Sequence, residues 1–413
     1  MAWSLSPLPT RPLGLWVAVL LVAAAPTVAQ DYVSPEEATG RYVQTGGTAK
    51  SFMVVAANPM AAAAGAEMID AGGSAADAAV AVQLVLNMVE PQSSGIGGGA
   101  FIVHWDQAGQ AISTFDGREI SPAAATEKRF VGADGAAMDR MTAVVGGRSV
   151  GVPGTLRALE LAHRRHGKLP WARLFAPAIR IADQGFALSP RVHALLGFDR
   201  SLKTVQPAGA FFYQADGSPK PVGTVIKNPE FAATLREIAA KGADAFYAGA
   251  IARDIVAAVT KAPVSPGDLT LADMNDYRAI ERPPVCAPYR DRKICGMGPP
   301  TSGGIGVLQT MALLERFDLA ALGPRAAASY HAMIEAGRLV FADRAVYIAD
   351  PDVVPVPTAA LLADDYLKAR AQLINLGARM PEVEAGKLPV KAGLNLRPAG
   401  SPERPSTSHF SIV

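Results

Sequence analysis

The chain has 413 residues, enough to bury one large core or two modest ones, which excludes small disulfide scaffolds and short binding modules. Lys and Arg number 39 against 37 Asp and Glu, a formal charge of +2 with no block of five like charges, which argues against a dedicated nucleic-acid surface. Hydrophobic residues at 50% and charged residues at 18% describe a dense globular core, and 39 Gly with 32 Pro, without a collagen period, predict many tight turns.

Residues 1–29 carry one charged side chain, Arg11, then an apolar run ending at Pro26 and the small residues Thr27, Val28 and Ala29 ahead of Gln30 and Asp31. This pattern predicts a secretory signal cut after Ala29 and a mature protein that is periplasmic or secreted. An uncleaved anchor fits less well, because spanning ~30 Å takes ~20 apolar residues and Pro26 interrupts the run. No later stretch is apolar and long enough to span a bilayer, so no membrane association is expected after cleavage.

Residues 54–57 read as a short strand, followed by Asn58 as the cap of a helix with Pro59 in its first turn and Gly72 and Gly73 at its end. Ser74, with Asp77 three residues on, caps a second helix over 75–88, apolar nearly all round at 78–86 and therefore expected to be buried. Gly95, Gly97, Gly98 and Gly99 lead into strands at 100–105 and 112–115 joined by a turn near Gly109. The glycine run lacks the Lys and Ser or Thr of a phosphate loop and precedes a strand, so nucleotide binding is not expected. Arg118, just past the second strand in Asp116-Gly117-Arg118-Glu119, is suited to grip a carboxylate through two parallel hydrogen bonds. A salt bridge to Asp116 or Glu119 is the plainer alternative.

Apolar residues recur at helical spacing over 155–165, 171–184, 229–240 and 243–259, with Gly167, Gly185 and Gly242 as stops. His163 and His166 fit a cationic end of the first of these helices. Residues 285–296 read as a hairpin; with Arg290 and Asp291 in its turn, Cys286 and Cys295 face each other across the strands. A cross-strand disulfide and two thiols on a β-ribbon both fit that register, whereas two Cys with no nearby His do not make a metal site. Pro299 to Gly304 form a loop into a helix over 304–317, where backbone N–H groups face an anion or merely make a tight connection. A further helix covers 328–348, with Asp343, Arg344 and Tyr347 on or near one face.

Residues 386–406 hold Pro389, Pro398, Pro402 and Pro405 among Gly, Ser and charged residues and read as an exposed, poorly ordered segment. Immediately afterwards residues 407–413 become β-favouring, and the run stops inside a strand. A threonine at that junction would join two chemistries if the bond before it were cut. Its hydroxyl would be a nucleophile, and its new α-amine, with a pKa of ~7.7 to 8.0, a base poised near neutral pH. On spacing alone, an ordinary strand start is the commoner arrangement.

Together these residues resemble the gamma-glutamyltransferase family, also called gamma-glutamyl transpeptidase or glutathione hydrolase, over almost all of the mature chain. The carriers are residues 56–60, 72–81, 90–101 with its Gly-Ile-Gly-Gly-Gly, 116–119, 151–154, 299–304 and 342–351, and the closing Thr407, Ser408, His409, Phe410, Ser411 and Ile412. Individually weak, they are specific in this order. The resemblance implies an α+β N-terminal nucleophile hydrolase fold, an αββα sandwich of two stacked sheets between helical layers. It implies an exported precursor with a signal peptide at 1–29, a large subunit at 30–406 whose flexible processing segment is 386–406, and a small subunit beginning at 407–413.

By that resemblance Thr407 would attack the carbonyl of Ser406 and part the two subunits. The same hydroxyl would then take the γ-glutamyl group from glutathione or another γ-glutamyl compound and pass it to water, an amino acid or a peptide. Arg118 matches the position that holds the substrate's α-carboxylate. No metal or organic cofactor is implied, and the implied protein partner is the small subunit of the same precursor. That subunit continues well beyond position 413 in the family and carries the acidic residue for the α-amine and the oxyanion-hole glycines and serines. The sandwich is therefore expected to be incomplete here and turnover by this chain alone negligible, since one lost oxyanion donor alone costs roughly 2.7 to 4 kcal/mol. Two other readings compete: an inactive exported protein that keeps an amino-acid or glutathione pocket, and an amidase like the related cephalosporin acylases, against which Arg118 argues.

Overall fold

The computed structural model describes residues 46–388 and 407–413, so the expected signal peptide, Ser406 and most of the expected processing segment lie outside the described residues. Strand β1 (Val54–Val55) runs into helix α1 (Pro59–Asp70), where the Met60 amide donates to Asn58 Oδ1 at 3.0 Å and Pro59 leaves no amide unsatisfied. Helix α2 (Ala75–Val89) opens on a reciprocal cap, the Asp77 amide on Ser74 Oγ (3.2 Å) and the Ser74 amide on Asp77 Oδ2 (2.7 Å). Both caps lie where the sequence predicts them. Every residue from Ala76 to Leu86 is buried, because helices or helical turns pack on several sides of α2: α1, Thr155–His166, Trp171–Phe175 and Ala176–Gln184. Burying a single side chain such as Leu84 or Leu86 contributes roughly 1.5 to 3 kcal/mol.

Strands β2 (Ala100–Asp106) and β3 (Ala111–Gly117) form an antiparallel hairpin that packs against the Thr155–His166 helix. A second pair, β4 (Phe186–Ala187) and β5 (Val225–Ile226), lies in a stretch that carries no clear periodicity in the sequence. The three-residue β6 (Ile280–Arg282) adds to the edge of β3, placing Ile280 opposite Asp116 and Glu281 opposite Phe115. Strands β7 (Val285–Tyr289) and β8 (Arg292–Gly296) make the predicted hairpin, with Arg290 turning at φ 54°. Cys286 and Cys295 stand opposite each other in it and are joined by a disulfide, which decides between the two sequence alternatives.

At the end of the chain β9 (Ser411–Ile412) pairs antiparallel with β1, Val54 facing Ile412 and Val55 facing Ser411. The pairing is closed by reciprocal bonds between Met53 and Val413, 2.8 and 2.9 Å. Among the described residues the strands thus form four sheets of two or three strands. No helix among the described residues is long and apolar enough to cross a membrane.

Two predicted helices are divided. Residues 171–184 become a 3₁₀ turn, Trp171–Phe175, and a helix, Ala176–Gln184, because Pro177 has no amide to continue the first turn and starts a new one instead. Residues 243–259 break into Asp244–Tyr247 and Gly249–Thr260, since Ala248 is extended and Gly249 takes φ 74°. The apolar spacing continues across that break, which conceals it. A separate cluster packs the Gly303–Leu314, Ala327–Tyr347 and Asp364–Ala371 helices around Leu313, Ala336, Leu339 and Ala371.

On the face shared by Asp343 and Tyr347, Gly386 is pinned rather than loose. Its amide donates to Asp343 Oδ1 (2.8 Å) and its carbonyl accepts from Tyr347 Oη (2.7 Å), so the exposed segment expected from 386 onward does not begin there.

Candidate active site

Thr407 is exposed and directly precedes Ser408, whose amide donates to the Ser93 carbonyl at 3.2 Å. Ser93 belongs to the loop that leaves α2 and ends in the glycine run. That loop is fastened along its length. Glu90, buried at the end of α2, accepts from Asn58 Nδ2 (3.2 Å) and Gln92 Nε2 (2.7 Å) and pairs with Arg191 at 3.4 Å. Gln83 Nε2 donates to Ser94 Oγ (2.9 Å), and the Ile96 amide donates to Asn87 Oδ1 (2.7 Å). The Gly98 carbonyl accepts from the amides of Gly154 (2.8 Å) and Thr155 (3.0 Å), tying the loop to the start of the Thr155–His166 helix.

The far end of the same loop meets the turn that carries Arg118. A Cβ on Gly99 would overlap the Glu119 carboxylate and lie 2.8 Å from the Gly117 carbonyl oxygen, so only glycine allows this approach. The turn itself is built around Asp116, which is buried. One of its oxygens accepts the Arg118 amide (2.8 Å) and the other Arg282 Nε (2.7 Å), while Arg282 reaches on to Asp352. Tyr277 Oη donates to the Arg118 carbonyl at 2.8 Å. Burial, with the charges of Asp116 and Glu119 nearby, raises the Tyr277 phenol well above its usual range and keeps it a donor. The hydrogen bond to Asp352, and then the hydrogen bond and charge of Asp116, hold Arg282 charged, and Arg282 in turn keeps the Asp352 carboxyl below the usual carboxylate range.

The Arg118 side chain is 60% exposed, and its Nε lies 3.5 Å from Glu119 Oε2, a loose pairing. The backbone of Arg118 is therefore fixed while its guanidinium faces solvent, the arrangement that lets a planar fork grip a carboxylate. Of the two acidic neighbours considered from the sequence, Glu119 takes the guanidinium and Asp116 takes the backbone. Thus both residues singled out beforehand, Thr407 and Arg118, border one loop, from its Ser93 end and its Gly99 end. Tyr277, Arg282 and Asp352 were not singled out. Tyr277 and Arg282 lie 159 and 166 residues from their partners in the turn, a separation that no local pattern reveals.

Of the two readings of the loop before the Gly303–Leu314 helix, the tight connection is the one found: the Gly303 and Gly304 amides are occupied, donating to Thr301 Oγ1 (3.3 Å) and the Met297 carbonyl (3.1 Å). Ser302 Oγ there accepts from Arg344 Nε at 2.8 Å. His166 does not serve as a cationic helix end. It stacks on His104 with ring centroids 3.9 Å apart, and burial, reinforced by repulsion from Arg165, lowers its pKa below 6.5. No group of three His, Cys, Asp or Glu side chains suited to a metal ion occurs among the described residues.

The profile of the family described as Gamma-glutamyltranspeptidase matches residues 61–413. The glutathione hydrolase proenzyme of Bacillus subtilis strain 168 is 35% identical over 371 residues, covering 90% of this chain and 62% of the relative. The chain thus spans less than two thirds of that relative's length. The crystal structure of Helicobacter pylori gamma-glutamyltranspeptidase superposes with a TM-score of 0.78 at 30% identity, covering 86% of this chain and 100% of that one. Cephalosporin acylase from Bacillus halodurans superposes with a TM-score of 0.69 at 28% identity, covering 83% of this chain and 63% of that one. The fold is that of the N-terminal nucleophile hydrolases. With the profile match extending from α1 to the last residue, the chain belongs to the gamma-glutamyltranspeptidase family.

Proposed function

We propose that the chain supplies the nucleophile and the substrate-carboxylate arginine of a γ-glutamyl hydrolase and transferase, made as an exported precursor. In this reading residues 1–29 are removed, residues 30–406 form the large subunit, and scission between Ser406 and Thr407 starts a small subunit that stays as the partner. The protein then works in the periplasm or outside the cell. The observation that carries the reading is the bond from the Ser408 amide to the Ser93 carbonyl, which fastens the residue after Thr407 to the loop that packs on the Arg118 turn.

Scission proceeds by attack of Thr407 Oγ on the Ser406 carbonyl carbon. The Thr407 nitrogen leaves as the free α-amine, and water hydrolyses the resulting ester to the Ser406 carboxylate. In turnover, Arg118 donates two hydrogen bonds to the α-carboxylate of glutathione or another γ-glutamyl compound. Thr407 Oγ attacks the γ-carbonyl carbon as its proton passes to the Thr407 α-amine. The ammonium so formed protonates the departing amine, leaving a γ-glutamyl ester on Thr407. Water, an amino acid or a peptide then attacks that ester, losing its proton to the α-amine, which returns it to Thr407 Oγ as the product leaves.

The likeness to a cephalosporin acylase supports a second reading, an amidase for other acyl groups. A butanoyl anilide, which lacks the α-carboxylate, separates the two: hydrolysis at the rate of the γ-glutamyl anilide would favour the acylase. The nucleophile is tested by Thr407→Ala in a protein carried to the full length of its relatives. Scission and turnover are both expected to vanish, and two fragments on a denaturing gel despite the change would reject the assignment.

A further inference from the structure

Away from Arg118, a cavity of about 570 Å³ opens where the Thr155–His166 helix meets the Asp244–Tyr247 helix and the turn at 275–279. Three arginines line it, Arg157, Arg164 and Arg278, against two acids, Glu160 and Asp244. Both acids are already occupied. Glu160 pairs with Arg157 Nη1 (3.2 Å) and Arg164 Nη2 (3.1 Å) and accepts the Ala243 amide (3.2 Å), while Asp244 Oδ1 takes Arg157 Nη1 at 2.7 Å. Arg278 Nη1 donates to the carbonyls of Asn275 and Tyr277, both at 2.7 Å.

Donors are left over at the cavity: neither Arg278 Nη2 nor Arg164 Nη1 has a partner among the described residues, whereas Arg157 Nε, also without one, is sealed from it. The floor beneath these donors is rigid. The Arg157 guanidinium lies 4.4 Å over the Tyr247 ring, Tyr247 Oη donates to the Pro153 carbonyl (2.8 Å), and the ring stacks on Tyr277 at 5.9 Å. The ordering penalty of a binding site is thereby reduced in advance.

We propose that this cavity binds a small oxyanion-bearing ligand, a carboxylate or a phosphate, at a site separate from the one that holds the γ-glutamyl group. The fork of Arg278 and the exposed Arg164, 67% accessible, take the oxyanion, and Leu161, Ala248 and Ala279 accommodate a short apolar body.

The test is calorimetric titration of the purified chain with inorganic phosphate and, separately, succinate, at matched ionic strength. At least one anion is expected to bind one to one with a Kd of about 1 mM or tighter, and the double variant Arg164→Ala, Arg278→Ala to weaken it at least tenfold. Binding of phosphate alone identifies a phosphate ligand and binding of succinate alone a carboxylate ligand; both support the site. Arg278→Lys, which keeps the charge and loses the fork, is expected to fall between wild type and double variant, and guards against a double variant that fails to fold. Absence of one-to-one binding for both anions, or binding that neither variant alters, overturns the proposal.

Discussion

The Ser408 amide and the Ser93 carbonyl lie 3.2 Å apart, and three residues further on Ser411 pairs with Val55. These contacts fix the register of the segment that follows Thr407 against both β1 and the loop leaving α2. The same loop, at Gly99, packs on the turn whose backbone is locked by Asp116 and Tyr277 and whose guanidinium, that of Arg118, faces solvent. A nucleophile candidate and a carboxylate-gripping candidate are thus coupled through one fastened loop.

Arg118→Lys should leave scission intact, because the turn is held through its backbone amide and carbonyl, neither of which depends on the guanidinium. Losing the bidentate fork should raise KM for a γ-glutamyl anilide about 10- to 100-fold, or ~1.4 to 2.7 kcal/mol, with a smaller effect on kcat. An unaltered KM would assign Arg118 another role.

Gly99→Ala drives a Cβ into the Glu119 carboxylate and to 2.8 Å from the Gly117 carbonyl oxygen, whereas Gly97 has nothing within 4 Å of an added Cβ. The first substitution should destabilise by roughly 1 to 3 kcal/mol and the second much less. Thermal denaturation of the two variants side by side checks this; equal melting temperatures would show that the loop and the Arg118 turn are not in close contact.

What the sequence reveals here is local. Asn58 with Pro59, and Ser74 with Asp77, act within four residues of their helix starts and could be read directly. The register of Cys286 against Cys295 follows from a short turn. The Arg118 turn required Tyr277 and Arg282, and the stacking of His166 required His104 from β2, partners brought together only by tertiary packing. The junction at Thr407 was visible as a change of composition, while its anchor at Ser93 was not. The break at Gly249 was hidden because apolar spacing persists on both sides of it.

The disulfide closes a loop of nine residues' separation between β7 and β8, and β7 and β8 pack against the Gly303–Leu314 helix. Reduction, or Cys286→Ala with Cys295→Ala, should lower stability by roughly 2 to 3 kcal/mol through the unfolded chain's regained freedom. Urea denaturation with and without reductant measures it, and coincident curves would contradict a stabilising role.

Acid should weaken the fold through the stacked His104 and His166. Burial lowers both below 6.5, with His166 adding repulsion on His104 and Arg165 on His166, while Asp106 opposes both and Glu281 opposes the shift of His166 more weakly. The unfolded chain then binds the more protons, so stability rises with pH; it is complete above the unfolded pKa of about 6.5 and declines as pH falls from there towards the lowered folded values. His166→Gln should flatten that part of the curve. An unchanged slope of urea midpoint against pH in the variant would assign the decline to other groups.

The most direct test is the intact mass of the mature protein, expressed at the full length of its relatives, alongside a glutathione-consumption assay. Two polypeptides that divide between Ser406 and Thr407, the second beginning with a free threonine amine, are expected together with activity. A single uncut polypeptide that still consumes glutathione would contradict the account.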